Sequence, residues 1–202
     1  MRLLLIRHGQ TPGNVLGQLD TAHPGPGLTE LGQTQAESLA ASLAHAGVAA
    51  LYASTLVRTQ LTAAPLSAAQ RLDVEILSGL HEIGAGELEA RSDRESIRRY
   101  LETLYAWGLG DLDAALPGGS DGNEFFGRFD ADVATVANSG VDVAAVFSHG
   151  AAIRVWAANR ARNVVPAFGA ENTLDNTGVV TLEGSAAEGW VLTDWAGTPV
   201  EN

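Results

Sequence analysis

The sequence predicts an α/β fold, a three-layer α/β/α sandwich with a mostly parallel central sheet. Short apolar runs at residues 3–6 and 143–147 have the composition of strands that are buried on both faces. Segments with helical spacing of their apolar residues alternate with such runs along the chain. The 202 residues, 46% of them hydrophobic, suffice for one well-buried domain and are few for two.

The first half of the chain alternates strand and helix. Residues 12–27, which follow the first strand, are rich in Gly and Pro and are predicted to form a loop. Thr29 has the position of a helix N-cap, because apolar residues recur at helical spacing behind it, and Gly47 is expected to end that helix. The remaining predictions in this half are a strand at 49–53, a helix from Thr55 and a strand at 74–77.

Residues 92–139 are predicted to form a helical insertion. Ser92 and Glu95 have the spacing of a capping box, and the helix behind them extends to about residue 107. A second helix is predicted over 124–137. No linker interrupts the chain, so we expect a single domain over residues 1–202. The remaining predictions are strands at 143–147, 179–182 and 190–193, the last two of which could pair as a hairpin, and a helix over 150–159.

The amino-acid composition excludes several classes of function. Twelve basic against 24 acidic residues give a net charge of −12, which argues against nucleic-acid and membrane partners because both need a basic face. Lysine and cysteine are absent, so a Walker A loop, a Schiff base, a thiol nucleophile and a cysteine-rich zinc site are excluded. Residues 3–6 are too short for a signal-peptide core, and a cytoplasmic location is expected.

Chemically useful side chains follow four of the predicted elements. Arg7 and His8 end the first strand, Arg58 lies at the start of the helix after the second, Glu82 follows the third, and His149 follows the run at 143–147. Because ligands bind in the crevice at the carboxyl ends of parallel strands, we expect these five side chains to face one crevice. This set suits phosphoryl transfer from an anionic ester.

Each of these residue types suits phosphoryl transfer for a chemical reason. A neutral imidazole such as that of His8 attacks phosphorus and forms a phosphoramidate that water can open, and flanking guanidinium groups keep it unprotonated. Arginine matches the bidentate geometry of phosphate oxygens. Backbone N–H groups at the helix N-terminus near His149 are expected to add donors for the same oxygens. Glu82 could protonate the leaving group and retrieve a proton from water.

Five segments, in order, resemble motifs of the histidine phosphatase superfamily, the phosphoglycerate mutase-like family. One such motif alone would be a weak signal, but five in order, covering residues 1 to about 180, are specific. The segments are LIRHGQT at 5–11 followed by Asn14, LTELGQTQA at 28–36, STLVRTQLTA at 54–63, LHEI at 80–83 and SHG at 148–150.

The resemblance implies a role for each matched residue. His8 would carry the phosphoryl group, Glu82 would be the proton donor and then the base for hydrolysis, and His149 would belong to the catalytic set. The residues that would hold the phosphoryl oxygens are Arg7, Asn14, Arg58 and His149. No metal and no cofactor are implied, and the helical insertion would lie over the active site.

Two segments depart from the family pattern. The family's G-x-x-E-G stretch after the acid ends in glycine, whereas this chain has Ala90 at that position. This difference puts the geometry of the local turn in doubt, but it does not affect the predicted chemistry. The loop at 21–27 is longer than the common form and could line the entrance to the site.

The predicted activity is that of a phosphatase, a histidine acid-type phosphoric monoester hydrolase that works without metal. The E-R-H-Y-G stretch of phosphoglycerate mutases is replaced by EIGAG at 82–86, which favours the phosphatase branch over a mutase-type phosphoryl transferase. A non-catalytic phospho-ligand-binding module is a further alternative, although binding needs neither His8 nor Glu82. A serine hydrolase would use Ser120 in GGSDG, but no apolar strand precedes that segment.

The expected substrate is a small phosphorylated metabolite, with a phosphoprotein as the alternative. The oligomeric state, including a dimer, is left open. A cluster of arginines is predicted to form a solvated helix face rather than a second anion site; it comprises Arg91, Arg94, Arg98 and Arg99. Three aromatic residues are predicted to form the core of the insertion rather than a wall of the substrate pocket; they are Trp107, Phe125 and Phe126.

Overall fold

A mixed sheet of seven strands forms the centre of the protein. The computed structural model describes residues 1–201. The strands are β1 (Arg2–Arg7), β2 (Ala50–Ala53), β3 (Val74–Ile76), β4 (Val143–Ser148), β5 (Val179–Ser185), β6 (Gly189–Trp195) and β7 (Thr198–Pro199). Their order is β3-β2-β4-β1-β5-β6-β7. The first four strands of this order pair in parallel, and β5, β6 and β7 continue the sheet in antiparallel fashion, with the predicted hairpin between β5 and β6.

Seven α-helices accompany the sheet within the described residues. They are α1 (Pro12–Leu16), α2 (Glu30–Ser42), α3 (Val57–Gln70), α4 (Arg94–Gly108), α5 (Gly122–Ala137), α6 (Gly150–Arg160) and α7 (Ala167–Glu171). Within residues 1–201, none of these helices combines the length and the apolar composition that crossing a membrane requires.

Four details of the predicted secondary structure were wrong. The capping box expected at Ser92 is absent, because Asp93 is the N-cap of α4. A loop was expected over 12–27, but α1 begins there, because Thr11 caps it reciprocally with Asn14 and Pro12 is pre-organised for the first turn. Helix α2 ends at Ser42, before Gly47, which lies in the connection with a φ of 76°. The short elements α7 and β7 were not predicted, since segments of five and two residues carry too little periodicity.

The two faces of the sheet bury alternate side chains of β1. Leu3 and Leu5 pack into a core that α4, α5 and α6 cover, whereas Leu4 and Ile6 pack into a second core beneath α2 and α3. The four side chains are at most 4% exposed. Residues 3–6 form a continuous apolar run because, as predicted, β1 is buried on both faces. The three-layer α/β/α fold is therefore confirmed.

The insertion consists of α4 and α5, as predicted. Its three aromatic side chains are buried, and Trp107 stacks on Phe125 with ring centroids 5.6 Å apart. Arg98 lies on the solvent side of α4, where it pairs with Glu95 and Glu102 at 2.6 Å each. Both predictions for these side chains are confirmed: the aromatic rings form the core of the insertion, and the arginines form an exposed face.

Candidate active site

The parallel strands end side by side, which brings their following residues together. Arg7 at the end of β1 is in register with Ser148 at the end of β4, and Ala53 at the end of β2 is in register with Phe147. The next residues along β1 and β4, His8 and His149, therefore meet, with ring centroids 5.3 Å apart.

A cleft of about 180 Å³ opens at these strand ends. The predicted site residues that line it are Arg7, His8, Asn14, Arg58 and Glu82. His149, the sixth predicted residue, is fully buried next to the ring of His8. The structure thus brings all six sequence-predicted residues to one place.

The ring of His8 is held in one tautomer. Its Nδ1 lies 2.8 Å from the carbonyl oxygen of Gly9, which can only accept a hydrogen bond. Burial, reinforced by the positive charges of Arg58 and Arg7, lowers the pKa of His8 well below its usual value. The ring is therefore neutral near pH 7 with its proton on Nδ1, which leaves a lone pair on Nε2.

His149 is held by a chain of hydroxyl groups. Its Nε2 lies 2.7 Å from Oγ of Ser54, which also lies 3.0 Å from Oγ1 of Thr59. The Thr59 hydroxyl can donate to the carbonyl oxygen of Leu56 at 2.8 Å, and the Ser54 hydroxyl can then donate either to Thr59 or, over the shorter distance, to Nε2 of His149. Burial and the charge of Arg58 lower the pKa of His149 well below its usual value. A neutral ring that accepts at Nε2 carries its proton on Nδ1.

Two guanidinium groups flank His8, and main-chain oxygens orient both. Arg7 donates from Nη1 to the carbonyl oxygen of Leu174 at 2.6 Å. Arg58 donates from Nη2 to the carbonyl oxygen of Asp20 at 2.9 Å, and its Nη1 lies 3.9 Å from the Asp20 carboxylate. Gly25 packs against Arg58, because a Cβ at that position would lie 2.5 Å from Nη1. The longer loop at 21–27 therefore covers Arg58, and its first residue, Thr21, lines the cleft.

Several buried nitrogen atoms of these side chains have no hydrogen-bond partner among the described residues. They are Nε of Arg7, Nε and Nη1 of Arg58, and Nδ1 of His149. Buried polar groups are normally hydrogen-bonded, and leaving one unpaired costs free energy. Four such donors around His8 make a site that suits an anion with several acceptor oxygens.

Asn14 belongs to the capping box of α1, and this fixes the orientation of its amide. Its Oδ1 accepts from the N–H of Thr11 at 3.2 Å and from Nδ2 of Asn176 at 3.0 Å. With the oxygen occupied by two donors, the Nδ2 group is the part of the side chain that remains to donate into the cleft. Asn176, which no sequence motif singled out, therefore orients a predicted site residue.

The carboxylate of Glu82 lies at the N-terminus of α6. Its Oε1 accepts from the N–H groups of Ile83 at 2.9 Å and Ala152 at 2.8 Å, and its Oε2 accepts from Ala151 at 3.2 Å. The expectation that the N–H groups at this helix terminus serve the phosphate was wrong for Ala151 and Ala152, because Glu82 uses them. Oε2, with one longer hydrogen bond, is the less occupied oxygen.

Arg128 of α5 supports the segment that carries Glu82. Its guanidinium donates to the carbonyl oxygens of Gly79, His81 and Glu82, the last two at 2.8 and 3.0 Å. Burial lowers the pKa of Arg128 to about 10, so the group remains charged at pH 7. The insertion thereby fixes the backbone beside the candidate proton donor.

Three further cleft residues were missed by the sequence analysis. Asp20 faces Arg58, Tyr100 of α4 donates its hydroxyl to the carbonyl oxygen of Ile83 at 2.8 Å, and Arg154 of α6 lines the rim. Tyr100 and Arg154 lie on helices, where periodicity indicates only which face is buried. Asp20 lies in the segment that was predicted to be a loop without a site role. No motif in the sequence distinguishes them.

The departure from the family pattern at Ala90 has a structural outcome. Ala90 has a φ of 62°, so alanine adopts the left-handed backbone that glycine takes without steric cost. Its N–H donates to the carbonyl oxygen of Leu19 at 2.8 Å, and the neighbouring Glu89 accepts from the N–H groups of Thr21 and Ala22. The turn is therefore kept, and it holds the loop at 21–27 in place.

Ser120 lies in a loop, as predicted. The segment at 118–122 leads into α5, whose N-cap is Asp121, and no strand of the described structure runs into it from the sheet. Ser120 does not line the cleft. The strand–turn–helix setting that a serine nucleophile of this motif requires is therefore missing here.

Comparison with known proteins places the whole chain in one family. The family model of the histidine phosphatase superfamily (branch 1) matches residues 3–198. The PE-PGRS family protein PE_PGRS11 of Mycobacterium tuberculosis is 38% identical over 96% of this chain, which spans 36% of that protein. The adenosylcobalamin/alpha-ribazole phosphatase of Salmonella typhimurium is 35% identical over 63% of this chain and 62% of the relative. The chain thus covers less than two thirds of the length of these relatives.

Solved structures resemble the fold over nearly the full length. The mycobacterial glucosyl-3-phosphoglycerate phosphatase in complex with VO3 superposes with a TM-score of 0.80 and 25% identity, over 96% of this chain and 98% of that one. The alpha-ribazole phosphatase from Shigella flexneri gives a TM-score of 0.78 and 26% identity, with both chains fully covered.

Proposed function

This chain belongs to the histidine phosphatase superfamily, and from that premise we propose that it hydrolyses phosphomonoesters through a phosphohistidine on His8. The family and its phosphatase relatives support phosphoryl chemistry in general. The observation that carries the specific proposal is the arrangement around His8. A neutral imidazole with a free Nε2 is surrounded by four buried nitrogen atoms that have no hydrogen-bond partner among the described residues.

Nε2 of His8 attacks the phosphorus atom, and the bond to the ester oxygen breaks. Arg7, Arg58 and the Nδ1–H of His149 donate to the phosphoryl oxygens, on which negative charge is spread in the transition state. Asn14 adds its Nδ2 group. These donors are already oriented by main-chain and hydroxyl partners, so little reorganisation opposes the reaction.

Glu82 serves as the acid and then as the base. Its Oε2, the less occupied oxygen, gives a proton to the departing ester oxygen, and the same oxygen then takes a proton from the water that attacks phosphohistidine. The amides of Ile83 and Ala152 on Oε1 hold the carboxyl group in position throughout. No metal ion is needed in this scheme, since guanidinium groups neutralise the phosphoryl charge.

Hydrolysis is favoured over a mutase-type transfer. Relatives named for alpha-ribazole, phosphoserine and glucosyl-3-phosphoglycerate are phosphatases, and the stretch at 82–86 lacks the residues of the mutases. We assign a small phosphorylated metabolite as the substrate, because the cleft is only about 180 Å³. Solved relatives include phosphatases for glucosyl-3-phosphoglycerate and for phosphoserine.

The test is hydrolysis of an aryl phosphate in excess EDTA by the wild type and by His8→Ala. We expect chelator-resistant activity that falls at least about 1,000-fold in the variant, because the covalent step is lost. Brief incubation with ³²P-labelled substrate is expected to label the wild type through an acid-labile, alkali-stable bond, which distinguishes phosphohistidine from a phosphoserine.

His45→Ala is the matched control, since His45 is exposed and remote from the cleft lining. It is expected to keep full activity and labelling. Activity that survives in His8→Ala would assign the chemistry to another nucleophile. Phosphate binding by a wild type that hydrolyses no ester would favour the non-catalytic binding module.

A further inference from the structure

A second cavity adjoins the phosphate cleft. It has a volume of about 110 Å³ and lies between α4, α6 and α7. We call it the side pocket, and its apolar wall consists of Leu101, Leu104, Tyr105, Val155 and Pro166. Ala151 and Arg154 line both the side pocket and the cleft. The two cavities therefore share a wall in the first turns of α6.

The side pocket lies where a leaving group would depart. Oε2 of Glu82 accepts from the N–H of Ala151 at 3.2 Å, so an ester oxygen that takes its proton from Oε2 lies next to Ala151. The alanine side chain is a single methyl group, which leaves room for an alcohol to extend past it. Beyond that methyl group, the surface is the apolar wall of the side pocket.

Arg154 forms a fixed partition between the two cavities. Its Nε donates to the carbonyl oxygen of Gly169 at 2.8 Å, and its Nη2 donates to that of Ala170 at 3.1 Å. With the head group held by α7, the methylene stem presents apolar surface. Arg154 is the one charged residue in the lining of the side pocket, so no carboxylate of the described residues opposes an apolar group there.

We propose that the side pocket binds the leaving group of the substrate, and that the protein prefers phosphomonoesters of alcohols or phenols with an apolar ring. This rests on the function proposed above. An apolar cavity of roughly 150 Å³ takes one benzene ring, and the side pocket is of that order. The second ring of a naphthyl group would lie over the half-exposed rim of the pocket. Leu101 and Tyr105 at its rim are 46% and 47% exposed, and a bound ring would cover apolar surface that now faces water.

The experiment compares kcat/KM for 1-naphthyl phosphate with kcat/KM for glycerol 1-phosphate. Leu101→Asp places a charge at the rim, which disfavours binding of an apolar ring there. We therefore expect the ratio of kcat/KM for the naphthyl ester to kcat/KM for the glycerol ester to fall about tenfold. Leu101 is half exposed, so the variant is expected to fold. Leu109→Asp is the matched control, because Leu109 directly follows α4, is 72% exposed and lies outside the pocket lining. It is expected to leave the ratio unchanged.

Binding of 1-naphthol, followed by its own fluorescence, separates this proposal from the proposed function. Naphthol binding that Leu101→Asp weakens, in a protein that hydrolyses neither ester, would reject the phosphatase and keep the side pocket. Hydrolysis of both esters with an equal ratio in Leu101→Asp and the wild type would reject the side pocket and keep the phosphatase. A dimer that Leu101→Asp dissociates in light scattering, with the ratio unchanged, would show that a second copy covers the pocket and would also overturn the proposal.

Discussion

The strand-end wall of the phosphate cleft and the α4 wall of the adjoining side pocket are built differently. The strand-end wall carries His8, Arg58 and His149, which are at most 4% exposed and are held by backbone oxygens or buried hydroxyl groups. The α4 wall presents Leu101 and Tyr105, which are nearly half exposed. The strand-end residues, which the main chain holds in place, are thus the ones proposed to carry out the reaction. The α4 residues are proposed to contact the leaving group, and they can vary without disturbing the sheet.

Close backbone packing explains why the strand-end wall is rigid. A Cβ on Gly9 would lie 2.6 Å from the carbonyl oxygen of Gly32, so the turn after β1 and the first turn of α2 approach as closely as glycine permits. The N–H of Gly9 also donates to Oγ1 of Thr62 at 2.9 Å on α3. Two helices, α2 and α3, therefore fix the segment that carries His8, whereas α4 contributes the side chain of Tyr100 to the cleft.

The largest effect is expected at the strand-end wall, from substitution of Arg58. Arg58→Lys and Arg58→Met are each expected to lower kcat/KM by about 100- to 1,000-fold, because neither supplies the buried bidentate donors. The two variants should differ in the pKa of His8. Burial and then the charge of Arg58 lower this pKa, so removing the charge in Arg58→Met raises it, whereas Arg58→Lys keeps it low.

Titration of the His8 ring by NMR measures this difference directly in the free protein. Circular dichroism on both variants controls for unfolding, since Arg58 is 2% exposed. An equal His8 pKa in the two variants would mean that burial and Arg7, and not a charge at position 58, keep the imidazole neutral.

A smaller loss of activity is expected from substitution of Ser54, which contacts His149 but does not line the cleft. Ser54→Ala removes the hydroxyl that contacts Nε2 of His149, and a loosened ring is expected to lower kcat about tenfold to a hundredfold, with a smaller change in KM. The ¹⁵N spectrum of the His149 ring should change from protonation at Nδ1 alone to a mixture of tautomers. Such a change would identify Ser54 as a positioning residue.

Thr59→Val is the matched control for Ser54→Ala. It removes a neighbouring hydroxyl that contacts Ser54 but not His149, and a smaller loss of kcat is expected with the tautomer unchanged. If both substitutions had the same effect on kcat and neither moved the ¹⁵N spectrum, the hydroxyl chain would have only a packing role.

The smallest effect is expected on the solvent face of α4. Arg98→Ala removes the ion pairs with Glu95 and Glu102, in which all three side chains are more than half exposed. Exposed ion pairs contribute little, so we expect kcat/KM to change less than about twofold and the melting temperature to stay near that of the wild type. A large loss of activity would instead place a second anion site on this face, contrary to the contrast between the two walls.

The sequence by itself predicted the layer order and selected the six residues that the structure brings to one place. The apolar runs located β1 and β4 to within one residue at each end, because strands buried on both faces need continuous apolar composition. Five of the six residues were selected because the carboxyl ends of parallel strands meet, and only Asn14 was supplied by the family motif. Apolar runs and short motifs of this kind consist of neighbouring residues, so they can be recognised in the sequence alone.

Only the tertiary structure decided how those residues are oriented and what surrounds them. Ser54 and His149 are 95 positions apart, Asn176 reaches Asn14 across 162 positions, and Glu82 takes the amide of Ala152 across 70. Arg154, with Ala151, joins the cleft to the side pocket only because α6 packs against α4 and α7. Such contacts depend on how the helices pack on the sheet, and a hydrogen bond between distant residues leaves no periodic trace in the sequence that encodes it.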